Sequence, residues 1–320
     1  MIKNFLKNHH IHHKIVPYFD DFFICNPTLF FTIWFMISIG MYLAHQNILM
    51  NPQWVTSEIN FKIILLFISL TFLTGATFIK GQLISLDLNN KNTLLIKFVN
   101  KQRATNILKL SIIIGTCILL FTNIYNIVLS VLVYLILDYY FTNKYQDSRK
   151  KYINYILIFF ISILLILNGY AIVLSDGSYF FSLLNAFNFL NFLSIIFYSF
   201  MGLSIFIMIE IVESGDNKII FRFYASLIML IVFIFSIYVN DPLLSVTSIC
   251  CLPFLLYALF RNFNKDLVRS VRYSIFICNF FIFTIYPWIA IPLILIFYIS
   301  KYYYWHRLDI HFPTFLVEND

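Results

Sequence analysis

The chain has 320 residues, of which 61% are hydrophobic, 20% aromatic and only 12% charged, so it cannot enclose its apolar surface in a water-soluble fold. These proportions indicate an integral membrane protein and exclude a disordered chain, which would be poor in aromatic and β-branched residues. The formal net charge of +7 is explained by the loops between apolar segments, so we predict no nucleic-acid partner.

The N-terminal segment is polar and basic and has no apolar core of a cleavable signal peptide. Its histidines indicate either a metal-binding tract or a solvated tail that faces anionic lipid. These histidines are His9, His10, His12 and His13. We expect residues 1–26 to form a cytosolic, basic, His-rich tail, residues 27–304 a single transmembrane helical domain, and residues 305–320 a short polar C-terminal tail.

Apolar windows long enough to span a bilayer recur along the chain, since a core of about 30 Å requires about 20 apolar residues in a helix. We therefore predict an all-α fold, a polytopic membrane helix bundle with about nine transmembrane helices. The predicted helices cover residues 27–45, 61–80, 105–124, 125–142, 152–174, 186–212, 219–239, 242–260 and 272–300. The last window contains Pro287 and Pro292, so it is either one kinked helix or a short hairpin.

The distribution of Lys and Arg predicts the orientation, because positively charged loops stay in the cytoplasm. Nineteen of the 22 cationic residues fall on the side of the N-terminus, and we place only Lys62, Lys301 and Arg307 on the opposite side. We therefore expect a multi-pass protein of the cell (inner or plasma) membrane with a cytosolic N-terminus. The outer turns, such as the one at Asn240-Asp241-Pro242, are minimal, so the functional residues should lie on the cytosolic face.

The predicted second helix ends in a polar stretch, residues 80–92, that contains Asp87, Asn89, Asn90 and Lys91. Oxygen ligands at a helix end with a lysine close by could hold a Mg²⁺–diphosphate, because Mg²⁺ prefers one or two carboxylates plus phosphate oxygens and water. The same residue types are typical of a solvated helix end with turn-forming asparagines. Both interpretations stay open.

Three acids, Glu210, Glu213 and Asp216, recur every third residue at the end of the predicted sixth helix, just before Lys218. On a continuing helix they would share one side, where like charges repel by a few tenths of a kcal/mol, and a bound cation would relieve that repulsion. Carboxylates at membrane depth are functional candidates by default. Alternatively, Gly215 ends the helix and the acids mark the membrane interface.

An aromatic stretch followed by cations joins the predicted fourth and fifth helices. Lys144 and Arg149 could clamp a diphosphate, and the ring faces of Tyr139 and Tyr140 could stabilise a developing allylic cation. The same pattern is typical of a positively charged cytosolic loop beside an aromatic belt.

These features together resemble the UbiA superfamily of intramembrane prenyltransferases, which are bundles of nine helices with an Asp-rich motif (NxxxDxxxD) at the end of helix two and another (DxxxD) at the end of helix six. The chain is identified as a divergent member with degraded motifs. In one register the ligand positions of the first motif fall on Gly81, Ser85 and Asn89, and in the other on Gln82, Leu86 and Asn90. Asp87 is the acid nearby, and Gly215-Asp216 matches the Gly-Asp of the second motif.

The resemblance implies transfer of a prenyl group from a polyprenyl diphosphate to a hydrophobic acceptor in the lipid phase, aided by Mg²⁺. It implies catalytic roles for Asp87, Glu213 and Asp216. The implied diphosphate contacts are Lys91, Lys144, Arg149 and Lys218, and the implied metal ligands are Asp87, Asn89, Asn90, Glu210, Glu213 and Asp216.

Two other functional classes stay open beside the transferase. A chain that kept this fold and lost the reaction would be a non-catalytic isoprenoid-binding or lipid-binding membrane protein. A small-molecule transporter would place polar residues near the bilayer midplane, where this chain has mostly Ile, Leu and Phe. For a transferase we expect the ends of predicted helices two and six to face each other across a cavity open to the cytosolic side.

Overall fold

The computed structural model describes residues 10–48, 60–87, 99–146, 151–174, 189–214, 219–261 and 263–308, and its long elements there are all helices. These helices are α1 His10–Phe23, α2 Phe30–Ile48, α3 Phe61–Asp87, α4 Lys101–Leu119, α5 Ile124–Gln146, α6 Lys151–Leu174, α7 Phe189–Ser214, α8 Ile219–Val239, α9 Pro242–Arg261, α10 Asn264–Ile285 and α11 Pro287–Leu308. A short 3₁₀ turn, Pro27–Leu29, leads into α2.

Eight of the described helices, α2, α3 and α5 to α10, are long and apolar enough to cross a bilayer. The protein is therefore a multi-pass membrane protein, and the predicted all-α helical bundle is confirmed. Two further long helices, α4 and α11, belong to the same bundle. In α4 the first half carries Lys101, Arg103 and Lys109, which lowers its hydropathy relative to its neighbours.

The predicted window 272–300 contains a break between two helices. Tyr286 leaves the helical conformation with φ −123° and ψ 77°, as expected of a residue before proline, and Pro287 then begins α11. At this break Trp288 packs edge-on against Phe67, near the start of α3. The α11 helix then runs to the other end of the bundle, so the chain makes one more crossing than the single-helix interpretation allowed.

The far end of α11 lies beside α1. This end of the bundle also holds Arg103 of α4, which pairs with Asp21 of α1, and we call it the basic side. Tyr303 donates a hydrogen bond to Asp20 at 2.7 Å, and Arg307 donates another to the same carboxylate at 2.7 Å. The ring of Phe23 stacks on Tyr303 with 3.9 Å between centroids. The prediction that Arg307 lies on the side opposite the N-terminus is therefore wrong, because the break at Tyr286 returns the chain to the N-terminal side.

The walls of the bundle meet most closely where α2 crosses α6. A Cβ atom added to Gly40 would overlap the carbonyl oxygen of Ile166, and one added to Gly169 would overlap the carbonyl oxygen of Ile37. The two backbones therefore touch, as is common where small residues lie between membrane helices. Since both helices line the cavity described below, this crossing fixes the position of its walls.

The turn between α8 and α9 closes the opposite side of the bundle. Asn240 adopts a left-handed conformation, with φ 58°, and Asp241 is 3% exposed. The Asp241 carboxylate accepts hydrogen bonds from the Leu244 amide at 3.2 Å and from the Tyr198 hydroxyl at 3.3 Å. Burial raises the pKa of Asp241 to about 6, and these hydrogen bonds act in the opposite direction.

Candidate functional site

A cavity of about 180 Å³ lies at the centre of the bundle, enclosed by α2, α3, α5, α6, α7 and α10. Its walls are mostly aliphatic and aromatic. The described residues that line it nearest the basic side include Asn26, Tyr140 and Lys144, whereas Ser162 and Asn279 add polar groups deeper inside. The cavity is therefore an apolar chamber with one charged end.

The charged end is built by α5 and α7. Tyr140 and Lys144 are four residues apart and so lie on one face of α5, and the Lys144 ammonium is 5.7 Å from the centre of the Tyr140 ring. The Glu210 carboxylate of α7 lies 3.5 Å from the Lys144 nitrogen and accepts a hydrogen bond from the Tyr140 hydroxyl at 3.4 Å. Glu210 is 8% exposed, so its charge is held inside the protein by these two partners.

Aromatic rings surround Tyr140 and continue the wall of the cavity. Phe141 and Phe206 meet its ring edge to face, with centroids 5.0 Å and 5.8 Å away. Phe78 of α3 meets Phe141 in the same way at 5.6 Å. Apolar rings therefore surround the Tyr140 ring, beside which the Lys144 ammonium lies, and a cation near an aromatic face is attracted by the ring quadrupole.

Asp87, at the end of α3, does not lie on the face of that helix that points into the bundle. Gly81, Gln82 and Ser85 are buried, and the Gln82 Oε1 and Ser85 Oγ atoms have no hydrogen-bond partner among the described residues. Asp87 instead pairs with Lys101 of α4 at 2.6 Å, and its side chain is 59% exposed. The structure therefore does not bring Asp87 to the charged end of the cavity, where Glu210 pairs with Lys144.

Several of the sequence-predicted site residues are not among the described side chains. Glu213 lies in the last turn of α7, and its side chain is not described. The remaining residues lie outside the described ranges: Asn89, Asn90, Lys91, Arg149, Asp216 and Lys218. Of the predicted diphosphate contacts, Lys144 is therefore the one that the described structure places at the cavity.

The donor set of a Mg²⁺ site is incomplete in the described ranges. No three His, Cys, Asp or Glu side chains come together there. Mg²⁺ needs only one or two carboxylates together with phosphate and water oxygens, but the described Asp87 carboxylate pairs with Lys101 away from the cavity. At the charged end Glu210 already faces Lys144. The described residues alone therefore do not fit a Mg²⁺ site.

Two features, one at the cavity and one between α3 and α5, were not found from the sequence. Asn26, at the cavity, has a left-handed conformation with φ 48° and accepts a hydrogen bond from the Thr28 hydroxyl at 2.5 Å. An asparagine directly before a proline was the available signal, since Asn tolerates this conformation. Lys80 of α3 pairs with Asp138 of α5 at 2.7 Å, and no spacing rule links two residues so far apart in the chain.

Comparison with solved structures defines the fold as that of UbiA-type membrane proteins. A UbiA homolog from Aeropyrum pernix K1 is 12% identical, with a TM-score of 0.57 over 79% of this chain and 96% of that one. A structure of digeranylgeranylglyceryl phosphate synthase in membranes is 14% identical, with a TM-score of 0.51 over 85% of this chain and 97% of that one. No protein-family model and no curated protein matches the sequence. The UbiA-like fold expected from the sequence is confirmed.

Proposed function

We propose that the protein belongs to the UbiA superfamily and transfers a prenyl group from a polyprenyl diphosphate to a hydrophobic acceptor within the membrane. The observation that supports this most directly is the apolar cavity with the Lys144–Glu210–Tyr140 cluster at one end. A prenyl diphosphate matches this division of the cavity into an apolar part and a charged end, since its long apolar chain ends in a compact anion.

In this proposal the prenyl chain lies against the aliphatic and aromatic walls and the diphosphate lies beside Lys144. The bond between the allylic carbon and the diphosphate oxygen breaks, and the diphosphate leaves with the electron pair. The Lys144 ammonium would stabilise that leaving anion in a site of low dielectric. The acceptor then attacks the allylic carbon and loses a proton to the departed diphosphate, while the Tyr140 ring stabilises the positive charge that develops at the allylic carbon.

Further charges are proposed to come from the ends of α3, α5 and α7. Lys91, Arg149 and Lys218 would add to the diphosphate contacts of Lys144, and Glu213 and Asp216 would supply acids next to Glu210. Mg²⁺, when bound, would neutralise the leaving diphosphate. Because the described residues alone do not fit a Mg²⁺ site, we derive no step through the metal.

The proposed membrane is the cell (inner or plasma) membrane, with the basic side of the bundle in the cytosol. The position of Arg307 beside Asp20 supports this orientation, since it places one more cation on the side that already holds most of them. The proposed partners are the lipid bilayer, the polyprenyl diphosphate and the hydrophobic acceptor.

A non-catalytic isoprenoid-binding protein is the second candidate, and the position of Asp87 favours it. With that acid paired to Lys101 outside the cavity, the described part of α3 contributes the neutral oxygens of Gln82 and Ser85 to the interior. Such a chamber can still hold an isoprenoid, but it stabilises a metal-bound leaving group poorly.

One experiment separates the two candidates. Purified protein in lipid nanodiscs is incubated with radiolabelled prenyl diphosphate and a panel of hydrophobic acceptors, with Mg²⁺ or with a chelator, and both diphosphate release and label binding are measured. Release that requires Mg²⁺ and acceptor supports transfer. Saturable binding without release supports the second candidate, and the absence of both contradicts the proposed function.

A further inference from the structure

The helix α1 has three chemically different sides. The first side is buried and consists of Val16, Asp20 and Phe23. Asp20 and Phe23 contact α11. A second side is an exposed apolar stripe, which consists of Ile11, Ile15, Tyr18 and Phe22.

The spacing of the stripe follows the helical repeat. Its members are separated by four, three and four residues, which at about 100° per residue places them within a sector of about 60°. That sector is centred roughly 140° away from the buried face on the same helical projection. Lys14 and Asp21 occupy the remaining sector, where Asp21 pairs with Arg103 of α4. One side thus faces protein, one is apolar, and one is charged.

The chain places α1 close to the start of the first membrane span. The first membrane span begins at Pro27, and the three residues between Phe23 and Pro27 allow the Cα atoms of these two residues to lie about 14 Å apart at most. The part of α11 that α1 contacts is also rich in the residues that mark membrane interfaces. These are Tyr302, Tyr303, Tyr304 and Trp305.

We infer that α1 is an interfacial helix whose apolar stripe, Ile11, Ile15, Tyr18 and Phe22, enters the boundary between lipid headgroups and acyl chains. Tyr18 is 79% exposed, and a row of large apolar side chains on a helix that also carries a charged side is the pattern of helices that lie in the membrane plane. The occupant of the stripe is lipid, because the stripe belongs to a helix that leads directly into a membrane-spanning surface.

The contacts of Asp20 set the rotation of α1 about its axis. Its carboxylate is held by Tyr303 and Arg307, and this fixes the buried side against α11 and turns the stripe away from it. Beyond α1 the chain reaches Asn26, which lines the cavity, so the interfacial helix and the charged end of the cavity are directly connected. The inference rests on the geometry of α1 and does not depend on the proposed function.

Fluorescent labels on single cysteines test the inference in the full chain. In a background in which the five native cysteines are replaced by alanine, Ile15→Cys, Tyr18→Cys and the control Lys14→Cys are labelled with an environment-sensitive dye. Each protein is reconstituted in phosphatidylcholine vesicles with or without bromine on the acyl chains. A thermal melt of each labelled protein shows that it is folded, and Ile11→Cys repeats the test one helical turn away.

We expect brominated lipid to quench the labels at Ile15 and Tyr18 at least twofold more than the label at Lys14, and aqueous iodide to show the opposite order. Equal lipid quenching at all three positions would overturn the inference. Labels at Ile15 and Tyr18 that are shielded from both quenchers would also overturn it, because protein would then cover the stripe.

Discussion

Asp20 and Asp21 are adjacent acids in α1 with ion pairs of very different burial, and replacing each by asparagine should have very different effects. The Asp20 carboxylate is 6% exposed and accepts hydrogen bonds from Tyr303 and Arg307 at 2.7 Å each. Asp21 pairs with Arg103, whose side chain is 59% exposed. The two substitutions remove the same charge from neighbouring positions, so each is a control for the other.

The expected magnitude follows from these contacts. A hydrogen bond to a charged group contributes about 1.5–3 kcal/mol, and removing one partner of a fully buried ion pair costs about 3–5 kcal/mol. Because the Arg307 side chain is 29% exposed and can turn towards water, we expect Asp20→Asn to lower the free energy of unfolding by about 2 kcal/mol. For Asp21→Asn we expect about 0.5 kcal/mol, a contribution that disappears at high salt.

Reversible unfolding by SDS in mixed micelles measures both differences, and a double-mutant cycle with Arg307→Gln isolates the Asp20–Arg307 coupling. The coupling should exceed about 1 kcal/mol. If Asp20→Asn were no more destabilising than Asp21→Asn, the docking of α1 on α11 would be wrong.

Three other predictions use the same unfolding measurement or the transfer assay. Gly40→Ala and Gly169→Ala should each destabilise the protein by about 1–3 kcal/mol despite the better helix propensity of alanine, because the added Cβ atom meets backbone atoms of the facing helix. The control Gly115→Ala should be close to neutral, since the nearest atoms to its added Cβ are side-chain atoms at 3.0–3.3 Å. Asp241 has a pKa of about 6 in the folded protein against an ordinary 3.8, so the folded state binds its proton more tightly than the unfolded state does. The free energy of unfolding should therefore fall by up to about 3 kcal/mol as pH rises from 4 to 7. In Asp241→Asn the free energy of unfolding should depend less on pH. If the chain transfers prenyl groups, Asp216→Asn should lower the rate about a hundredfold, or roughly 3 kcal/mol, and unchanged activity would remove that acid from the proposed site.

Hydropathy predicted most of the helices because a membrane span is specified by the composition of one continuous segment. It did not divide the window 272–300, since both segments around Tyr286 and Pro287 are apolar and a proline permits either a kink or a break. That one undecided feature reversed the side to which Arg307 was assigned. The helix α1 was also missed, because its docking depends on Tyr303 and Arg307, which lie almost the whole chain away.

The residues of the charged end were found from residue types alone, but their geometry was not. Lys144 and Glu210 were candidates as a cation and an acid at membrane depth, and only the packing of α5 against its neighbours shows that they pair. Helical phase explains why Asp87 lies outside the interior once the burial of Ser85 is known. Ser85 is buried, and a residue two positions later in a helix points about 200° away.

The central claim is that the charged end of the cavity binds the diphosphate of a prenyl diphosphate, and equilibrium binding to matched lysine variants tests it most directly. Radiolabelled prenyl diphosphate is titrated into nanodisc-embedded wild-type protein, Lys144→Met, Lys144→Arg and the control Lys101→Met, each shown to be folded by thermal melt. We predict that Lys144→Met weakens binding at least tenfold, about 1.4 kcal/mol, that Lys144→Arg retains most of the affinity, and that Lys101→Met, whose lysine pairs with Asp87 outside the cavity, binds like the wild type. Equal affinity of Lys144→Met and Lys101→Met would contradict the assignment of the site.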